Sequence, residues 1–282
     1  VSARLPAVAG MFYEADPEAL RKRIEWTFTH PFGPGEVPKP STTRKRESHA
    51  FMTPHAGYIY SGPVAAHTYY RIALEGRADT YVILGPNHTG YGEPVAVYPE
   101  GKWLTPLGEV LIDEELAREL VSRSKYARLD KSAHEQEHSI EVQLPFLQYI
   151  FGKIRIVPIA LLYQTPSIAR DLAKSILEAA NSLGRDVVVI ASSDMTHYEP
   201  NESAHAKDRK ALGKITSLDV DGLFETINRL RISMCGPGPV MTAMEFTRLM
   251  GGSRGEVLKY ATSGDITGDT YAVVGYASVR FF

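Results

Sequence analysis

The sequence predicts an α/β fold: a mixed, largely parallel central sheet flanked by helices. Two observations lead there. Short β-branched runs bounded by Gly or Pro alternate with stretches whose apolar residues recur at helical spacing. The chain also lacks any repeat of the solenoid kind. At 282 residues it is long enough to bury roughly 75% of its unfolded surface. A single domain over residues 1–282 therefore needs no disulfide or metal staple.

The elements follow in order. Residues 31–45, rich in Pro, Gly, Ser and Thr with a basic run at the end, read as an exposed loop. Residues 50–53 form a short apolar run, and 63–74 are helical in pattern. Residues 80–84, Thr-Tyr-Val-Ile-Leu before Gly-Pro, read as a buried strand. Residues 95–98 and 109–112 look like antiparallel strands separated by Gly101 and Gly108. A helix capped by Asp113 follows, with Leu116, Leu120 and Val121 facing inward. Residues 136–144 read as a helix, and 154–162 as a strand broken at Pro158. The helix over 167–183 keeps Ile168, Leu172, Ile176 and Leu183 on one face. Residues 187–191 are the clearest buried strand. Helices over 204–215 and 220–230 come next, then one opening near Pro239. Strands at 256–262 and 271–281, separated by Gly264 and Gly268, close the chain. Strands alternating with helices imply a parallel sheet covered on both faces, with some antiparallel edge.

Composition removes several function classes. Hydrophobic residues at 44% and charged residues at 23% are ordinary for a globular protein. Thirty-one Lys and Arg against thirty-three Asp and Glu leave a net charge of -2, with no overall field to collect nucleic acid. Apolar runs such as 187–191 fall far short of the ~20 residues that cross a bilayer. Residues 1–10 lack a charged leader ahead of an apolar core. The expectation is a cytoplasmic protein that engages neither membrane nor nucleic acid. The single cysteine, Cys235, forms no internal disulfide, which favours a reducing compartment. The Asn-x-Ser/Thr matches at Asn87 and Asn201 read as accidents of composition.

Chemistry concentrates where predicted strands end. Thr53-Pro-His-Ala-Gly-Tyr58 follows the first apolar run, Gly85-Pro-Asn-His-Thr-Gly90 the strand ending at Leu84, and Ser192-Ser-Asp-Met-Thr-His197 the strand ending at Ala191. Each places a histidine past the carboxyl end of a strand, the edge over which ligands bind in open α/β sheets. Two neutral imidazoles on rigid loops suit a divalent transition metal, and a third protein ligand completes an open site. Cys235, in Met234-Cys-Gly-Pro-Gly-Pro239 ahead of a predicted helix, is the candidate third ligand. A helix amino end would lower its thiol pKa; the competing reading is a buried, inert cysteine. Asp194 beside His197 either orients that imidazole as a general base or caps the next turn. His30, His49, His67 and His205 read as structural.

His134-Glu-Gln-Glu-His138 matches the zinc-peptidase pattern His-Glu-x-x-His. Yet it opens a predicted helix rather than sitting inside one, Glu141 stands where the extended motif has glycine, and position 144 is not histidine. A zinc peptidase is the remote alternative. His138 and Glu141, on one predicted helix face, could still line the crevice. Tyr58, Tyr60 and Tyr91 could supply aromatic contact to a bound peptide. Residues 264–269 resemble a turn with two aspartates. Gly236-Pro-Gly-Pro239 lacks the Lys of a phosphate-binding loop.

These residues resemble the Memo family, which is widespread in archaea. The resemblance is carried by residues 4–13 (Arg-Leu-Pro-Ala-Val-Ala-Gly-Met-Phe-Tyr), 54–62, Leu84-Gly-Pro-Asn-His88, 137–145 and Ser192-Ser-Asp-Met-Thr-His197. Memo proteins are similar in fold to class III extradiol dioxygenases, which cleave catechols with Fe(II) on two histidines and a carboxylate. The resemblance implies that His55 and His88 are metal ligands, that Cys235 stands where those enzymes have the carboxylate, and that His197 stands at the base. A thiolate in that place is softer, favours Cu(I) or Zn(II), and is itself oxidisable. The resemblance further implies peptide-binding adaptor roles, and for archaeal members a radical-SAM and an AMMECR-type partner.

The leading expectation is a metal-binding, redox-capable protein holding iron or copper, with zinc the third option. His55, His88 and Cys235 are its ligands, and Asp194, His197 and His138 stand around the ion. The alternatives are a binding module that holds a small molecule or peptide in the same crevice, and a ring-cleaving dioxygenase proper.

Overall fold

The computed structural model describes residues 2–282. In chain order its elements are β1 (Ala3–Arg4), α1 (Pro17–Thr29), β2 (Ala50–Thr53), α2 (Tyr58–Glu75), β3 (Thr80–Pro86), β4 (Val95–Val97), β5 (Lys102–Thr105) and β6 (Gly108–Ile112). Then come α3 (Glu114–Arg123), β7 (Arg128–Leu129), a 3₁₀ turn (Glu141–Gln143), α4 (Leu144–Phe151), β8 (Arg155–Leu161), α5 (Pro166–Leu183) and β9 (Val187–Ser192). The chain ends with β10 (His197–Glu199), α6 (Asn201–Thr216), α7 (Val220–Leu230), α8 (Pro237–Leu249), β11 (Gly255–Thr262), α9 (Ser263–Thr267) and β12 (Val273–Phe281).

The predicted α/β class stands. The central strands run β6-β8-β3-β9-β2 in parallel, and β12 adds antiparallel to β2. Their side chains alternate between two apolar faces. Ala50, Met52, Val82, Leu84, Val189 and Ala191 pack with α3, α5 and α8. Phe51, Tyr81, Ile83, Val188 and Ile190 pack with α1, α2 and α4 on the other side. Burial on both faces explains why these strands read as continuous apolar runs. Among the described residues no helix is long and apolar enough to cross a membrane.

Several expectations change. Pro158 does not break its strand: β8 runs through it, with Ile83 opposite in register. Its carbonyl accepts from Tyr98 N–H, so its nitrogen faces the same side. There β6 has already stopped at Ile156 and β4 starts only at Ile159. The missing donor therefore falls in a gap. Residues 95–98 and 109–112 do not pair with each other. β4 lies antiparallel to β8, whereas β6 forms a hairpin with β5, a strand absent from the prediction. The expected helix over 136–144 is mostly turn, and α4 begins only at Leu144. α1 was not among the predicted elements, although Asp16, which accepts from Ala19 N–H ahead of Pro17, is a start signal. Residues 264–269 hold a helical turn whose Thr262–Asp265 capping box uses up one aspartate.

The peptidase geometry is not formed. His134 lies in a turn, wholly buried, with its ring edge-on to Tyr98 and Trp103 and its Nε2 donating to the Ala96 carbonyl at 2.9 Å. Its Nδ1 is buried without a partner. Burial holds its pKa down to about 4 against an ordinary 6.5. The unfolded chain thus binds a proton that the folded chain refuses. Stability from this group is complete above pH 6.5 and falls as pH drops towards 4, by about 1.4 kcal/mol per unit. His134→Gln should remove that part of the acid slope in urea midpoints, and identical slopes in the two proteins would refute it.

Candidate metal centre

Parallel neighbours β2, β9 and β3 deliver their carboxyl-terminal loops to one edge of the sheet. Past β2 comes His55, past β3 His88, and past β9 Asp194 and His197; Cys235 sits in the turn ahead of α8. One ligand atom each from His55, His88 and Cys235 lies within 4.8 Å of the others, as do those of Asp194, His197 and Cys235. The His138 ring stacks on His88 with centroids 4.7 Å apart and meets His55 edge-on at 5.3 Å. All six residues singled out from the sequence therefore share one crevice.

Hydrogen bonds fix which ring nitrogens face inward. The Ser192 hydroxyl gives its one proton to the Ser139 carbonyl at 2.7 Å and accepts from Gln143 Nε2 at 3.0 Å. Its remaining lone pair takes His55 Nδ1–H at 2.8 Å. His55 Nε2 thus carries a lone pair, 3.2 Å from Cys235 Sγ. The Gln143 amide is set in turn by the Pro54 carbonyl on its nitrogen and the Tyr69 hydroxyl on its oxygen. Glu137 Oε1 accepts from His88 Nδ1 at 2.8 Å and from His88 N–H. The Ser233 carbonyl accepts from His197 Nδ1 at 2.7 Å. In each of the three histidines Nδ1 is occupied, and Nε2 is the nitrogen left to bind.

Electrostatics follow from burial. It pushes His55 down to about 3 and His138 down to about 4, so both rings are neutral at neutral pH. Burial would also lower His88, but the hydrogen bond and charge of Glu137 outweigh it and raise this ring. Burial alone would raise Glu137; its bond to His88 and the nearby imidazoles bring it down to about 2. Asp194 is raised by burial, with Oδ1 taking the His55 N–H at 2.9 Å.

Several expectations are corrected here. The Cys235 thiol is raised, not lowered: burial and the Asp194 charge outweigh the helix end, and α8 starts only at Pro237. The carboxylate of Asp194 engages His55 rather than orienting His197, which the Ser233 carbonyl holds instead. Glu141 does not line the crevice, being fully buried on Arg4, Tyr13 and the amides of Ala7 and Val8. Tyr58 is likewise buried, while Tyr60 and Tyr91 are exposed. His67 bonds the Phe32 carbonyl and His205 bonds Asp265, as structural residues do. Glu137, Gln143, Ser192 and Ser233 went unpredicted. Only Glu137 left a signal, as the second glutamate of the peptidase-like match.

The donor set fits a metal ion. Nitrogens about 2.0 Å and a sulfur about 2.3 Å from one ion stand about 3.5 Å apart at tetrahedral angles, close to the 3.2 Å between His55 Nε2 and Cys235 Sγ. His88 and His138 are part-exposed, which leaves an approach from solvent.

The family model described as "Memo-like protein" matches residues 4–280. A MEMO1 family protein of Desulfurococcus amylolyticus is 54% identical over 280 residues, 99% of each chain. One from Ignicoccus hospitalis is 57% identical over 279 residues, 99% of this chain and 98% of its own. A third, from Sulfurisphaera tokodaii, is 53% identical over 281 residues, again 99% of each. Among solved structures, uncharacterized protein JW3007 from Escherichia coli K12 is similar in fold. Its TM-score is 0.54 at 14% identity, covering 83% of this chain and 99% of that one.

Proposed function

The chain belongs to the Memo-like protein family, and from that premise we propose that it is a metal-binding protein whose ion is redox-active iron or copper. One observation carries the reading. One ligand atom each from His55, His88 and Cys235 lies within 4.8 Å of the others, His55 Nε2 being 3.2 Å from Cys235 Sγ, and both rings are held by hydrogen bonds at Nδ1. Carboxylate-held and hydroxyl-held imidazoles are typical of built metal sites. The thiolate favours softer ions than the two-histidine, one-carboxylate set of ring-cleaving dioxygenases, so we rank that activity lower.

When bound, the ion supplies one-electron chemistry and a Lewis-acidic open position. The protein's own groups do the rest. His55 is held rigid at the bottom of the crevice, and His88 is kept basic by Glu137. His197 Nε2 and the Asp194 carboxylate stand on the Cys235 side, able to accept or hold a proton from whatever enters. The stacked His138 and His88 rings form the wall nearer to solvent.

The test is metal content after purification without chelator, with the element identified by its absorption edge. Wild-type protein should hold about one ion per chain, and the His55→Ala/His88→Ala pair nearly none. Equal content in both would refute the reading, and zinc alone at full occupancy would refute the redox part.

A further inference from the structure

The sheet edge opposite the metal centre holds a cleft of about 550 Å³. It lies among the loops that lead into β3, β8 and β9, and four cationic side chains line it: Arg77, Lys153, Arg155 and Arg185. Arg185 is paired with Asp113 and Glu115. Among the described residues the other three have no carboxylate within ion-pair reach. Asp79 is the acid in the lining, where its Oδ2 accepts the Asp186 N–H, so three unpaired cations stand with a single carboxylate.

Helix ends explain part of this charge. α2, α4 and α5 all finish at this edge, and their negative ends favour Arg77, Lys153 and Arg185 just beyond them. Arg77 reaches the Lys153 carbonyl at 3.1 Å in that way. Arg155 has no such reason, because it opens a strand. Its position concentrates positive charge in a chain whose net charge is -2, and that self-repulsion is what a bound anion relieves.

The cleft has an apolar continuation. Arg155 stands in register with Leu111, which is 49% exposed although it lies in a strand. Leu111, Lys153 and Ile154 also border a second cavity of about 460 Å³ that reaches Leu107 and Gly152. Arginine forks and a lysine suit phosphate oxygens, and an exposed leucine beside them suits a flat ring. We propose that this groove is a binding site for a nucleoside phosphate. The phosphates lie on Arg77, Lys153 and Arg155, and the base or sugar lies against Leu111. The site is separate from the metal centre and does not rest on the reading given for it.

Calorimetric titration with ADP, and separately with pyrophosphate, tests the proposal on wild-type protein, Lys153→Ala/Arg155→Ala and Leu111→Asp. These are surface positions, so the fold and the metal content should persist in both variants. Wild type should bind ADP with a Kd below about 1 mM, and the double variant should bind at least about tenfold more weakly. Leu111→Asp should weaken ADP more than pyrophosphate. The proposal is overturned if ADP shows no saturable binding, or if the double variant binds it as tightly as wild type. Equal affinity for ADP and pyrophosphate would overturn the ring contact at Leu111.

Discussion

Glu141→Ala should cost the fold about 3–5 kcal/mol, the effect of removing one partner from a buried ion pair. The Glu141 carboxylate is wholly buried and takes four donors: Arg4 Nη1 at 2.7 Å, the Ala7 and Val8 amides at 2.7 and 3.0 Å, and the Tyr13 hydroxyl at 2.7 Å. Alanine would leave a guanidinium with a 2% exposed side chain facing three unsatisfied donors. Total stability is of order 5–15 kcal/mol for a domain, so the variant should be substantially unfolded under mild urea.

The loss should also reach the candidate metal centre. The same guanidinium donates to the His134 and Glu137 carbonyls at 2.7 Å each, so it clamps the loop that presents Glu137 and His138. Glu141→Ala should therefore loosen the grip of Glu137 on His88 before the protein unfolds, visible as a changed His88 Nδ1 environment in ¹⁵N spectra. A urea midpoint within about 0.5 kcal/mol of wild type, the range of an ordinary surface change, would sink this account.

That network also marks where sequence reading stops. The parallel core was legible because both faces of β2, β3 and β9 are apolar, and strand-end histidines after such runs point to one sheet edge. Arg4 and Glu141, by contrast, lie 137 residues apart and carry no local pattern. The helical spacing of 136–144 puts Glu141 on a helix face, yet its burial against residues 4–13 overrides that spacing. The thiol of Cys235 departs from its sequence expectation for a related reason. Proximity to a helix start is visible in sequence, but the burial of the thiol, and of the Asp194 carboxylate with it, is not. The hydroxyl and amide that fix His55 are also invisible, since Ser192 and Gln143 are unremarkable letters until folding joins them.

Cys235→Ser should separate donor from scaffold at the proposed metal centre. Serine is nearly the same shape, and its hydroxyl can still meet His55 Nε2 and the Asp194 N–H that the sulfur now accepts at 3.3 Å. The fold should persist. A neutral hydroxyl is a hard, poor ligand for Cu(I) compared with a thiolate, so copper affinity should fall by more than the 10–100-fold that loss of an outer partner causes. Ser192→Ala supplies that milder case. It leaves all three proposed ligands in place but removes the acceptor that holds the proton on His55 Nδ1, freeing the ring to present the wrong nitrogen to the ion. The order of copper affinity should be wild type, then Ser192→Ala, then Cys235→Ser, measured by competition with a Cu(I) chelator. If Ser192→Ala binds as wild type does, the tautomer argument is wrong. If Cys235→Ser does, the sulfur is a packing atom, and the two imidazoles must find their third ligand in Asp194.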